Sequence, residues 1–194
     1  MKTAAIILSA GRGSRVASLG DKPFLKIEGK TFLEISFEKA RRAGFQPIVI
    51  VTNQELFSKI ENLKLNAEIV VNPHPEMGML SSLHCGLSIL DMDVTGFLLN
   101  PVDYPLVKQT TFHKLWELHQ QEPDCIIKPL HQNKTGHPVI FPSAMFEDLR
   151  NASLNEGARS VVKKYPQLVR TVEVDDPGIL ININTPELYQ KYCM

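Results

Sequence analysis

Ala4-Ala5-Ile6-Ile7-Leu8 is apolar at every position and passes without a break into Ser9-Ala10-Gly11-Arg12-Gly13-Ser14-Arg15. A short run with no polar alternation marks a strand buried on both faces, the situation found where helices cover a parallel sheet. Such sheets bind ligands beyond the C-terminal ends of their strands, which is where this loop falls. Gly11 and Gly13 can take positive φ, letting backbone N–H groups turn inward around an anion. Arg15 adds a planar fork suited to phosphate oxygens, and Lys22 adds a movable point charge. The stretch from Leu8 to Lys22 reads as a triphosphate cradle.

The chain then alternates strand and helix signals. Thr31 and Glu34 form a capping box ahead of a helix with Phe32, Leu33, Ile35, Ser36 and Ala40 on its apolar side, closed by Arg41, Arg42 and Gly44. A second buried strand over 47–51 ends at Thr52-Asn53, followed by a helix over 54–62 and a third strand over 67–71. This β-α-β-α-β order predicts a parallel sheet with right-handed crossovers. The loop over 72–78, broken by Pro73, Pro75 and Gly78, leads into a helix over 79–90. Ser81 and Ser82 lie in its first turn, either as ordinary helix-start residues or as hydroxyls beside free N–H groups that suit an anion. A strand over 95–100 delivers Asp103 at its C-terminal end, where an acid is placed for metal binding.

Further helices are expected over 109–121, 143–150 and 156–164, and strands over 124–129, 136–141 and 168–174. Asp175-Asp176-Pro177-Gly178 reads as a turn and 179–183 as a short apolar run. Asn184 or Thr185 caps a last helix with Pro186 at its first position. Phe112, Leu115 and Trp116 form a core stripe, and His137 fits core packing as readily as substrate contact. The expectation is a single three-layer α/β/α domain over 1–194 with a mostly parallel sheet.

Composition narrows the function. Lysine plus arginine equals aspartate plus glutamate at 21 each, so nothing points to nucleic acid or a membrane as partner. The absence of a long apolar run or signal-peptide flanks leads to a cytoplasmic expectation. Cys85, Cys125 and Cys193 are odd in number and far apart, which argues against disulfides and a zinc site. The loop also fails three common signatures. A dinucleotide site wants a third glycine where Val16 stands and an acid where the second strand ends in Thr52-Asn53; a Walker loop is missing, and so is a nucleophile elbow.

Taken together, Leu8-Ser9-Ala10-Gly11-x-Gly13-x-Arg15 with Lys22 resembles the signature of the nucleotidyltransferases with a dinucleotide-binding-like fold. Asn72-Pro73, Gly78-Met79-x-Ser81-Ser82-Leu83 with Gly86-Leu87, and Pro101-Val102-Asp103-x-Pro105 look like the molybdenum-cofactor branch of that superfamily, the MobA/MocA-like enzymes. Gly136-His137-Pro138-Val139, Gly157-Ala158-Arg159 and Asn182-x-Asn184-Thr185-Pro186-Glu187 extend the likeness to the C-terminus. The resemblance implies a Rossmann-like nucleotide-diphospho-sugar transferase-type fold and Mg²⁺-dependent transfer of NMP from an NTP to a phosphorylated acceptor, here the phosphate of molybdopterin or molybdenum cofactor. It implies catalytic roles for Arg15, Lys22 and Asp103, and nucleotide binding by Leu8, Ser9, Ala10, Gly11, Gly13, Lys22, Asn72, Gly78, Ser81 and Ser82. Asp103 and Asn184 would hold the metal, and a molybdoenzyme or cofactor chaperone would be the protein partner. Ala10 and the 78–82 segment are similar to the cytidylyl branch, whereas Asn182 and Asn184 are similar to the guanylyl branch, so CTP leads and GTP stays open. Another sugar or alcohol phosphate acceptor, or a non-catalytic pterin or nucleotide carrier, is the alternative.

Overall fold

The computed structural model describes residues 2–11 and 19–194. Strand β1 (Lys2–Leu8) is followed by a one-turn 3₁₀ helix (Lys22–Phe24), the short hairpin β2 (Lys26–Ile27) and β3 (Lys30–Thr31), and helix α1 (Phe32–Ala43). Then come β4 (Ile48–Thr52), α2 (Phe57–Glu61), β5 (Glu68–Val71), α3 (Met79–Leu87), β6 (Val94–Pro101) and α4 (Gln109–Gln121). The remainder is β7 (Ile126–His131), β8 (Lys134–Thr135), β9 (Val139–Pro142), α5 (Phe146–Arg150), α6 (Arg159–Lys164), β10 (Val169–Glu173) and α7 (Pro186–Cys193).

The central sheet has the order β10-β7-β9-β6-β1-β4-β5, with β8 paired to β7. The pairs β6–β1, β1–β4 and β4–β5 are parallel, while β9 runs antiparallel to both β6 and β7. Because β9 is reversed between them, β7 and β10 point the same way as β6. The sheet is thus mostly parallel, as its unbroken apolar strands predict.

Alternation along those strands divides the core. Ala5, Ile7, Ile48, Ile50 and Leu98 pack toward α1, α2 and α4, with α7 at the margin. Ala4, Ile6, Leu8, Val49, Val51, Phe97 and Leu99 pack toward α3, α5 and α6. Successive strand residues point to opposite faces, so one strand serves two helical layers. Helix α1 shows how locally this is specified. Thr31 Oγ1 accepts from Glu34 N at 3.2 Å while Glu34 Oε2 accepts from Thr31 N at 2.8 Å. Gly44 ends the helix at φ +101°, a conformation costly for a side chain bearing a Cβ. Between those caps, burial of Phe32, Leu33 and Phe37 contributes roughly 1.5–3 kcal/mol each.

Three sequence expectations shift. The helix expected over 54–62 is reduced to α2, since Asn53 Oδ1 accepts from Leu56 N at 3.0 Å and holds the preceding residues in a turn. The helix expected over 79–90 stops at Leu87. The strand expected over 136–141 begins only at Val139. The turn expected over 175–178 is present and leads into the apolar run over 179–183. A 3₁₀ turn (Pro177–Leu180) begins there, with the Asp176 carboxylate accepting from Gly178 N at 3.0 Å. The Phe112 and Leu115 positions of α4 are buried, as the core stripe requires. All three cysteines are free. Among the described residues, no helix is long and apolar enough to cross a membrane.

Candidate active site

The pairing of β1 with β6 brings two distant stretches to one sheet edge. Leu8 lies opposite Pro101, and Val102 N donates to Leu8 O at 3.1 Å, so the Ser9–Gly11 turn and Asp103 leave the sheet side by side. The turn is pinned from the other flank. Ser9 donates to Val51 O through both its backbone N–H and its hydroxyl, each at 2.8 Å, and Asn53 Nδ2 donates to Ala10 O at 3.1 Å. Asn53 serves only as negative information in the sequence; in the fold it braces the loop.

Lys22 enters from the 3₁₀ turn, where Pro23 occupies the first turn and is buried. Its Nζ stands 3.4 Å from Asp103 Oδ2, with the two side chains 15% and 20% exposed. The other carboxylate oxygen, Asp103 Oδ1, is buried and among the described residues has no hydrogen-bond partner. The backbone beneath it is fixed, since Ile183 N donates to Asp103 O at 2.8 Å.

A third wall comes from the start of α3. Gly78, at φ +92°, turns the chain into the helix and lines the cleft with Ser82. Asn72 and Ser81 shape this wall without lining the cleft. Asn72 Nδ2 donates to Ser81 Oγ at 2.9 Å and Ser82 Oγ at 3.0 Å, and Asn72 Oδ1 accepts from His74 N at 2.9 Å. Ser81 Oγ in turn donates within reach of His74 O and Gly78 O. These groups satisfy one another, so the loop over 72–78 is tied to the helix it precedes.

The result is a cleft of about 190 Å³ lined by Leu8, Ser9, Ala10, Gly11, Lys22, Gly78, Ser82 and Asp103, with Pro23, Pro75, Met79, Pro101 and Val102 completing its walls. Eight of the expected site residues therefore meet at one place. Gly13 and Arg15 lie outside the described residues. Asn184 lines neither this cleft nor its neighbour; its N–H donates to Asn182 O at 3.1 Å. Asn182 lines neither cavity either, and among the described residues its buried Oδ1 has no hydrogen-bond partner.

The donors suit a hard divalent cation held in part by substrate. Among the described residues no group of three or more His, Cys, Asp or Glu side chains could hold a metal by itself. One carboxylate with a free oxygen, beside a lysine, matches Mg²⁺ or Mn²⁺ bound through one or two carboxylates, water and phosphate oxygens.

Beside the cleft, and sharing Met79 with it, opens a second cavity of about 680 Å³. Tyr104, Lys128, His137 and Arg159 face it. The Tyr104 and His137 rings sit 4.8 Å apart. Burial holds the His137 imidazole down to about 4 and pushes the Tyr104 hydroxyl up. Lys128 is shifted down, first by burial and then by the Arg159 charge.

An α/β sheet whose strand ends gather a glycine turn, a lysine, a metal-competent aspartate and a helix start defines a nucleotide-handling enzyme of the transferase type. Comparison gives the family: residues 5–170 match the MobA-like NTP transferase domain, and the chain belongs to that family, a nucleotidyltransferase family. Rv0371c from Mycobacterium tuberculosis H37Rv superposes with a TM-score of 0.82 at 23% identity, covering 100% of this chain and 97% of that one. A further structure of Rv0371c is a complex with manganese. Molybdopterin-guanine dinucleotide biosynthesis protein A from Archaeoglobus fulgidus superposes with a TM-score of 0.69 at 21% identity, covering 98% and 96%. Among curated proteins, the bifunctional IPC transferase and DIPP synthase of Thermococcus kodakarensis is 35% identical over 41% of this chain, and the bifunctional protein GlmU of Rhodococcus opacus is 30% identical over 63%. The matched stretches span only 19% and 26% of those relatives' lengths.

Proposed function

We propose that the chain transfers a nucleoside monophosphate, CMP from CTP in our reading, to the phosphate of molybdopterin or its molybdenum-loaded form, with Mg²⁺ and release of pyrophosphate. The observation carrying this reading is Asp103 Oδ1, buried and without a partner among the described residues, beside Lys22 at the edge shared by the Ser9–Gly11 turn.

Asp103 would hold the cation through Oδ1. When bound, the cation would neutralise triphosphate oxygens and polarise the α-phosphorus. Lys22 would move its ammonium from Asp103 to the phosphates and offset charge building on the leaving pyrophosphate. The N–H groups of the Ser9–Gly11 turn and of the first turn of α3, a nine-residue helix, would cradle the remaining oxygens. Arg15 and Gly13 belong to the same cradle by motif. Nucleotidyl transfer asks little covalent work of protein groups, so positioning and electrostatics suffice. Asn184 would supply a second, uncharged oxygen to the metal, with Asn182, whose buried Oδ1 has no partner among the described residues, as the alternative.

CTP ranks ahead of GTP on Ala10 and the Gly78-Met79-x-Ser81-Ser82 segment. A sugar or alcohol phosphate is the second acceptor class, because acceptor pockets built from loops change freely on one scaffold. A pyrophosphate-release assay with each of the four NTPs, Mg²⁺, and molybdopterin present or omitted tests all of this. Pterin-dependent release with CTP is expected; release with GTP alone would move the base to guanine. Release only with sugar phosphates would remove the pterin.

A further inference from the structure

The backbone that runs from Asp103 to α4 has little means of holding itself. Pro101 and Pro105 bring no N–H to it, and the turn bonds it does make are long, Tyr104 N to Pro101 O at 3.3 Å and Val107 N to Tyr104 O at 3.4 Å. The carbonyls of Pro105 and Val107 need donors from elsewhere. Lys39, on α1, supplies both: its Nζ donates to Pro105 O at 2.8 Å and to Val107 O at 2.6 Å. The carbonyl of Lys39 in turn accepts from Gln109 Nε2 at 3.1 Å, which ties α1 to the start of α4 at the same place.

Asp176 holds this stretch with the opposite charge. It is buried, and its Oδ2 accepts from Lys108 N at 2.7 Å and Thr111 Oγ1 at 2.6 Å while its Oδ1 accepts from Gly178 N at 3.0 Å. Over 105–108, then, an ammonium takes the carbonyls and a carboxylate takes an amide. Among the described residues Lys39 makes no ion pair. Burial pulls its ammonium down to about 8, with the Asp176 charge opposing. A methionine would pack a similar stem against α1 without burying a charge. A cation kept where burial disfavours it points to a use beyond packing.

We infer that Lys39 is a positioning residue for the metal carboxylate: by holding Pro105 O and Val107 O it keeps the Asp103 side chain aimed at the cation's place. The inference rests on the nucleotidyltransferase reading, in which Asp103 binds a divalent cation, and adds to it a residue that lines neither cavity. The carbonyl of Asp103 is already tied, by Ile183 N at 2.8 Å, so the chain is fixed on that side and Lys39 fixes it on the other. Removing the ammonium leaves two carbonyls to water, and the turn between Asp103 and α4 gains freedom that Asp103 shares. A carboxylate sampling more directions binds a cation less tightly. Groups that orient a metal ligand typically account for about 10- to 100-fold in metal affinity.

Titration with Mn²⁺, followed by electron paramagnetic resonance of the free ion with CTP present and no acceptor, tests this without turnover. Lys39→Met should weaken Mn²⁺ binding about tenfold or more, and Lys39→Arg should recover part of the loss. CTP affinity without divalent cation should stay within twofold, and amide hydrogen exchange over 102–108 should quicken at least tenfold in Lys39→Met. Thr31→Ala, which loosens the same helix at its start, is the control for general destabilisation, and its Mn²⁺ affinity should stay within twofold. If circular dichroism shows Lys39→Met unfolded, Lys39→Gln is measured in its place with the same expectation. Unchanged Mn²⁺ affinity in the folded Lys39 variant, or equal weakening in Thr31→Ala, would overturn the role of Lys39 and leave the nucleotidyltransferase reading standing. Failure of the unaltered protein to bind Mn²⁺ and CTP would overturn both.

Discussion

Lys22 Nζ and Asp103 Oδ2 face each other at 3.4 Å, from loops at the ends of different elements and with most of both side chains out of water. In the proposed reaction the pair would hold a cation's place and a phosphate's place close together before substrate arrives. Asp103→Asn preserves shape and removes the charge. Pyrophosphate release by this variant should fall about 10²- to 10³-fold, the range for removing one electrostatic stabiliser. Its circular dichroism should be unchanged. Turnover near that of the unaltered protein at saturating Mg²⁺ would exclude Asp103 from the chemistry.

Lys22→Ala separates ground-state binding from transition-state stabilisation. If the ammonium follows charge onto the leaving group, kcat and kcat/KM fall together, by about 10²-fold, with KM for the NTP little changed. A rise in KM at constant kcat would reduce Lys22 to a binding residue. Steady-state kinetics over an NTP series distinguishes the two.

His119 is fully buried in α4, and neither ring nitrogen has a hydrogen-bond partner. Burial holds it at about 4, against 6.5 for the free side chain, with Asp124 opposing weakly. The unfolded chain takes up the proton first as pH falls. His119 therefore contributes fully above 6.5, and its contribution drains away as pH drops toward 4. The loss is on the order of 2–3 kcal/mol. Urea unfolding across that interval should steepen for the unaltered protein relative to His119→Leu. Parallel curves would assign the acid sensitivity elsewhere, with His137 the next candidate because it is shifted the same way.

Gly86 lets α3 lie close against the sheet, since a Cβ there would meet Ile6 Cγ2 at 2.7 Å and Val51 Cγ2 at 3.2 Å. Gly86→Ala should destabilise by about 1–3 kcal/mol through overpacking. It should also raise KM for the NTP, because α3 carries Gly78 and Ser82 at its start. Denaturant midpoints and initial rates on one preparation would show whether the two effects travel together.

Thr31→Ala removes half of the capping box of α1, at about 1 kcal/mol. The helix begins away from both cavities, so activity at moderate temperature should be retained. An altered KM would mean that the loss reaches Lys22 through the neighbouring 3₁₀ turn, to which α1 is tied by Phe32 N donating to Leu25 O at 2.8 Å.

Much of this was legible from local chemistry. Thr31 with Glu34, Gly44 and Pro186 after Thr185 announce helix ends because the groups they satisfy lie within a few residues. Unbroken apolar runs announce the parallel strands, and strand ends announce where Gly11 and Asp103 emerge. What was not legible depends on contacts distant in sequence. Nothing local marks Asn53 as the brace of Ala10, or indicates that Asn72 spends its amide on Ser81 and Ser82. Lys128 and Arg159 stand far apart in sequence, and only β7 and α6 bring them to one cavity. The turn at Asp175-Asp176-Pro177-Gly178 was legible because Asp176 and the residues it bonds are neighbours in sequence.

Strand β9 runs against its neighbours, so its beginning, not its end, reaches the catalytic edge. The chain leaves that edge from β7 and returns through β8 to His137 without crossing to the far side of the sheet. A wholly parallel arrangement would need a helix for the same connection. One wall of the second cavity is consequently built on a short hairpin that can change length or composition while the cleft, anchored on β1, β6 and α3, keeps its geometry.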